Sequence, residues 1–123
     1  MREILFRGKR IDNGEWVYGN LVRGCDEKYA YIVEFGNKEL CRNYINVKPD
    51  TVGQYIGLTD KNGTRVFEGD ILECLSSNPV GEVECRTIIV DDITNFETMG
   101  YLDFCNEIEV NGNIHDNPEL RKR

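Results

Sequence analysis

The chain has 123 residues, a net charge of −7 and a single histidine, which bounds it to one domain with a modest core. An acidic balance of this size disfavours non-specific attraction to nucleic acid or anionic membrane, and no apolar run approaches the roughly 20 residues that a membrane helix needs. One alanine, Ala30, and eight leucines beside six tyrosines, five phenylalanines and many β-branched residues argue against a mainly helical body.

Five cysteines (Cys25, Cys41, Cys74, Cys85 and Cys105) are odd in number and widely spaced. There is no C-x-x-C pair, so no metal site is expected, and the cysteines read as reduced, mostly buried thiols. The first residues, MREILFRGKR, are charged from Arg2 and Glu3 onward and lack a signal-peptide apolar stretch. The expectation is a cytoplasmic protein.

Taken in order, Glu3 to Lys9 alternates as a strand does, with Ile4 and Phe6 on one side and Leu5 and Arg7 on the other. Asn13-Gly14 is a hairpin signal, and Trp16 to Val22 is the return strand. Trp16 shares a face with Tyr18, which predicts the tryptophan as the anchor of this hairpin's core; an exposed stacking residue is the alternative. Tyr29, Tyr31, Val33 and Phe35 fall on one face of the next strand, an aromatic ladder that can pack across strands or stack on bases. Lys38 to Val47 reads as a further strand, which Lys48-Pro49-Asp50 breaks. That joint suggests two sub-lobes, 1–50 and 51–123.

Val52 to Leu72, VGQYIGLTDKNGTRVFEGDIL, organises the rest. Val52 to Leu58 reads as a strand. Asp60 can accept from the backbone two residues on, Gly63 supplies positive φ, and Arg65 to Phe67 returns. Glu68-Gly69-Asp70 then bends the chain into the strand Ile71 to Leu75. Beyond the loop Ser76 to Pro79, Val80 to Val90 is β-branched, with Val83, Cys85, Thr87 and Ile89 on one face. Asp91 to Gly100 reads as polar and irregular, and Asp91-Asp92 as a solvated turn rather than a metal site. Gly100 to Cys105 and Glu107 to Ile114 are the last expected strands. A short helix closes the chain, capped by Asn117 with Pro118 in its first position.

The run Val52 to Leu72 resembles the signature of the YopX-type proteins of bacteriophages and prophages, whose usual form is V-G-Q-Y-T-G-L-x-D-K-N-G-x-x-I-Y-E-G-D-I-V. Glu109 to Leu120, EVNGNIHDNPEL, resembles their second signature, E-V-I-G-N-I-Y-E-N-P-E-L, and Arg2 to Arg7 matches their usual start. Asn111 stands where the family usually has an apolar residue, and His115 where it often has tyrosine. The residues shared with the first signature include Gly53, Gln54, Tyr55, Gly57, Asp60, Asn62, Gly63, Glu68, Gly69 and Asp70; Asn117 and Pro118 belong to the second. All are expected to shape the backbone. The resemblance implies one YopX-like domain over 1–123, a phage or prophage source, and action in the cytoplasm of a bacterial host. It implies no reaction. The G-D-I turn is also like one found in SH3-like small barrels.

The expected fold is therefore β-rich α+β: an N-terminal hairpin lobe, small antiparallel sheets or an SH3-like barrel in the C-terminal half, and a short C-terminal helix. No nucleophile stands out to pair with His115-Asp116, and there is no phosphate loop, dinucleotide fingerprint or H-E-x-x-H. No catalytic residue, metal ligand or cofactor is expected. The leading reading is a non-enzymatic scaffold that binds a protein, itself or a host factor, with a homo-oligomer allowed by exposed strand edges. Two alternatives stand beside it. One is a nucleic-acid-binding β module with Arg7, Lys9, Arg10, Tyr29 and Tyr31 as its surface. The other is an acidic inhibitor that imitates DNA.

Overall fold

The computed structural model describes residues 4–24, 26, 28–34, 44–91 and 95–119. The chain divides into two compact units, Met1–Tyr55 and Ile56–Arg123. The first begins with β1 (Phe6–Lys9) and β2 (Trp16–Arg23), paired antiparallel with Lys9 opposite Trp16. Gly14 closes the hairpin at φ 74°, its N–H donating to the Arg10 carbonyl (3.0 Å), while the Asn13 side chain accepts from the Glu15 N–H (2.9 Å). The hairpin forms where Asn-Gly marks it, but through a longer loop than the two-residue turn that dipeptide favours: Gly14 alone takes positive φ, and Asn13 acts through its side chain. β3 (Ala30–Glu34) and β4 (Ile45–Val47) extend the sheet, and the start of β5 (Gly53–Thr59) pairs on the far side of β1. Pro49–Thr51 forms a single 3-10 turn between β4 and β5. Phe35 and residues 38–43 of the expected strands lie outside the described residues.

Period-two alternation sets this unit's core. Val17, Ala30, Ile32 and Val47 share one face, with Phe6, Leu21, Ile45 and Val52 packed against them. Gly8 and Gly19 lie on that face where the backbone must pass closely. A Cβ at Gly8 would press on the Val47 side chain, and one at Gly19 would overlap the Val33 carbonyl oxygen. Trp16 is not the anchor of this core. It and Tyr18 point to the opposite face, which also carries Arg7 and Lys9, and the core position between them is Val17. The apolar pattern did not mark the right side because glycine occupies two of the inward positions.

β5 carries the chain into the second unit, where it pairs with β6 (Arg65–Phe67). Around it stand β7 (Asp70–Ser77), β8 (Val83–Ile89), α1 (Phe96–Phe104) and β9 (Glu107–Asn113). The sheet order β8-β7-β9 puts the most buried strand in the middle. Ile56, Val66, Leu72, Cys74, Val90 and Leu102 form the core, with Ile88, Met99, Ile108 and Val110 against them. At β9 the register slips between Ile71 and Leu72, so that Asn111 faces no residue of β7 directly. A polar residue there is accommodated by a bulge.

The described residues hold two antiparallel sheets and no closed barrel, so the SH3-like expectation is corrected to an open arrangement. The stretch expected to be irregular and then a strand is the helix α1. Asn95 caps it by accepting from the Glu97 and Thr98 N–H groups (3.0 and 3.2 Å), and Glu97 suits the positive helix end. Gly100 inside it hid the helical pattern. The Val83, Cys85, Thr87 face of β8 is exposed, and the buried side of that strand is the one with Ile88, opposite Leu72. Pro118 and Glu119 enter a 3-10 turn, and the rest of the expected terminal helix lies outside the described residues. The Asn117 side chain reaches back to β9, accepting from the Asn113 N–H (3.3 Å). No helix among the described residues is long and apolar enough to cross a membrane.

Candidate functional site

The signature turn is built around a buried carboxylate. Asp60 is 7% exposed. Its Oδ1 accepts from the Asn62 and Thr64 N–H groups (both 2.9 Å), and its Oδ2 accepts from the Val110 N–H (3.0 Å) fifty residues on. The Lys61 N–H donates to the Ile108 carbonyl beside it (3.0 Å). Burial alone would raise the Asp60 pKa, but the donors of Val110, Thr64 and Asn62 outweigh it and hold the carboxyl below its usual range. Gly63 takes φ 82° at the turn. Asp60, Asn62 and Gly63 therefore clamp a turn onto β9.

The second half of the signature does the same at the start of β7. Gly69 sits at φ 93°, donates its N–H to the Val90 carbonyl (2.7 Å) and accepts from the Ile114 N–H (2.9 Å). Asp70, 1% exposed, accepts from the Phe67 N–H (2.7 Å) through Oδ2 and from the Val90 N–H (2.9 Å) through its carbonyl. One corner thus ties the ends of β6, β8 and β9. Gly53 and Gln54 face Arg7 and Phe6 across the β1–β5 ladder, the Tyr55 N–H donates to the Leu5 carbonyl (2.8 Å), and Gly57 takes φ 90°. Glu68 lies half-buried in the turn before Gly69.

Two thiols, Cys74 and Cys85, are placed to stay protonated. Burial first, then neighbouring Cys105, pushes the Cys74 thiol up to about 12. Cys85 donates to Glu73 Oε1 (3.2 Å), and that hydrogen bond raises its pKa too. His115 lies in the turn after β9, its N–H donating to Asn113 Oδ1 (3.0 Å). Asp91 accepts from Asn95 Nδ2 (2.8 Å) and Thr98 Oγ1 (3.2 Å) at the start of α1, while Asp92 is outside the described residues. Among the described residues no group of three or more His, Cys, Asp or Glu could hold a metal ion. A shallow cleft of about 420 Å³ lies between the Asp60 turn and the C-terminal end of α1, lined by Leu58, Thr59, Lys61, Cys105 and Ile108 among others. Of the three carboxylates that line it, Asp60, Asp103 and Glu107, the buried one, Asp60, is committed to backbone donors.

The proposed nucleic-acid residues are only partly gathered. Register places Arg7 and Lys9 on one face with Trp16 and Tyr18, and Tyr31 opposite Val22 on the same face. Arg7 is only 6% exposed, its guanidinium 4.6 Å from the Trp16 ring centre, and Lys9 Nζ is 5.7 Å from that ring. Tyr31 meets the exposed Tyr44 edge-on at 6.3 Å. Arg10 is held away at the hairpin turn by Asp12 (2.9 and 2.8 Å), and Tyr29 is exposed in the loop before β3. In sequence Tyr18 is legible only as a neighbour of Trp16, and Tyr44 not at all; the pairing of β2 with β3 and of β3 with β4 brings their face together.

What is least legible in sequence is that β8, an expected strand, is an edge. It pairs with β7 on one side, and among the described residues no strand lies on its other side. Val83 to Thr87 are all exposed, Val83 by 68%, and Val80 in the preceding turn by 80%. The turn is rigid: Asn78 Oδ1 accepts from the Val80 and Glu82 N–H groups (3.1 and 2.9 Å), and Gly81 takes φ 88°. Such an edge offers a row of backbone donors and acceptors to another strand.

A family model described as YopX protein matches residues 5–122. A search of curated proteins gives no match.

Proposed function

Because this chain belongs to the YopX family, we propose that it is a phage- or prophage-encoded protein-interaction module without enzymatic activity, working in the cytoplasm of a bacterial host. The observation that carries the reading is the β8 edge, seven residues long and exposed from Val83 to Thr87, whereas the sheet's other edge strand, β9, is held by the Asp60 turn. A partner strand added there gains main-chain hydrogen bonds, with Val83, Cys85 and Thr87 available for selectivity. The side chains that look reactive in sequence, Asp60, Asp70, Asp91 and Cys74, are explained by turns, a helix cap and core packing. The test is affinity capture from host lysate, with protein and nucleic acid scored separately. Wild type is expected to retain protein that Cys85→Lys loses while keeping its circular dichroism. Equal capture by both chains contradicts the reading.

A second reading rests on the face with Lys9, Trp16, Tyr18, Tyr31 and Tyr44, where Tyr18 and Tyr44 are 44% and 53% exposed. Aromatics beside a cation suit stacking on single-stranded nucleic acid. Binding of an oligonucleotide that falls steeply with salt and is lost in Tyr18→Ala supports it; no complex at low salt removes it.

A further inference from the structure

We infer that the strand that pairs with β8 is β8 of a second copy, in the register that sets Cys85 opposite the partner's Cys85. The inference rests on reading β8 as a protein-binding edge, and it names the occupant. Two identical antiparallel strands related by a two-fold axis can pair only with a residue facing its own counterpart at the centre. β8 reads Val83-Glu84-Cys85-Arg86-Thr87-Ile88-Ile89. Centred on Glu84 or on Arg86, a charge meets its like. Centred on Thr87, Arg86 meets an isoleucine. Centred on Cys85, Glu84 of each copy meets Arg86 of the other, and Val83 meets Thr87, so two opposite-charge pairs form by symmetry and no like charges meet.

The chain leaves these groups in place for that pairing. Glu84 and Arg86 lie on the same side of the strand, facing Ser76 and Cys74 on β7. Both are exposed, and Glu84 has no ion-pair partner among the described residues. Arg86 rests over the Tyr101 ring of α1 at 5.7 Å, a contact that holds the guanidinium weakly enough to exchange for a carboxylate of a second copy. On the other side of the strand, Cys85 would stand against its counterpart with Cα atoms about 4.5–5.5 Å apart, within the range that a disulfide spans. Joining two thiols removes two electrons, so the pairing is non-covalent until an oxidant is supplied, and Cys85 meanwhile donates to Glu73 Oε1 (3.2 Å).

Sedimentation equilibrium of the full chain tests this, with charge reversal as the probe of register. Wild type is expected to show a monomer–dimer equilibrium. Glu84→Lys sets like charges opposite each other twice and should raise the dimer Kd by about tenfold or more. Arg86→Glu should do likewise, and Glu84→Lys combined with Arg86→Glu should restore the wild-type Kd, a rescue that damage to the fold would not produce. Diamide, which takes up the two thiol hydrogens as it is reduced to the hydrazine, should give a disulfide-linked dimer that Cys85→Ser abolishes. Monomer at every concentration overturns the inference, and so does a dimer indifferent to these changes. If the chain is monomeric while Cys85→Lys still loses a lysate protein, self-pairing fails and the edge reading stands; if Cys85→Lys loses nothing, both fail.

Discussion

The two units solve the turn problem with the same residue types but over different distances. In Met1–Tyr55 each of the first four strands pairs with its neighbour in sequence, and the acid at the first turn, Asp12, is exposed and bonded to Arg10 two residues away. In Ile56–Arg123 the central strand β7 lies between β8 and β9, and the acid at the turn, Asp60, is buried and holds the Val110 N–H. The same side chain is a local ornament in one unit and a long-range tie in the other. A turn carboxylate matters to stability when its acceptor capacity is spent on distant backbone groups that would otherwise be orphaned.

Several substitutions sharpen or break that contrast. The largest effect is expected in the first unit from packing alone. Gly19→Ala forces a methyl group onto the Val33 carbonyl and should cost about 3 kcal/mol or more, read as a lower urea midpoint. Next comes Asp60→Ala, which strands three backbone donors and should cost about 2–3 kcal/mol in the same measurement. The Asp60 tie also carries a pH signature. Its folded pKa lies below the unfolded value of about 3.9, so its contribution is fully present above that pH and is lost as pH falls through the folded value. Urea midpoints should therefore fall on acidification below about pH 4, and Asp60→Asn should flatten that limb. A smaller loss, about 1 kcal/mol, is expected for Gly63→Ala, where φ is 82° and no atom lies near the added methyl. Arg10→Ala, at an exposed pair, should leave the midpoint unchanged within error at both low and high salt. An Arg10→Ala effect as large as that of Asp60→Ala would erase the distinction between the units.

What the sequence made legible follows the same division. The Asn13-Gly14 hairpin, the Asp60 turn and the Gly69-Asp70 corner were readable because the determining atoms lie within a few residues. That Asp60 also reaches Val110 was not, since nothing local encodes a contact fifty positions away. Trp16 reads as core because it is large and apolar; two glycines on the true inward face carry no hydrophobic signal, and the Arg7 guanidinium over its ring half-covers it instead. Helix α1 was hidden by Gly100, although Asn95 followed by Glu97 was a usable start signal. On β8, alternation identified a strand but could not say which side met the core. That depended on Leu72 and Cys74 of the neighbouring strand. The candidate binding edge was invisible for a related reason, because being an edge is a property of the sheet order and not of the strand.

The most direct test of the claim that β8 is the working surface is hydrogen–deuterium exchange, followed peptide by peptide from low to high protein concentration. Slower exchange confined to Val83–Ile89 is the expected result, with the Asp60 turn and the aromatic face of the first unit unchanged. Protection that instead gathers around Trp16 and Tyr18, or around the cleft between Leu58 and Ile108, would contradict it.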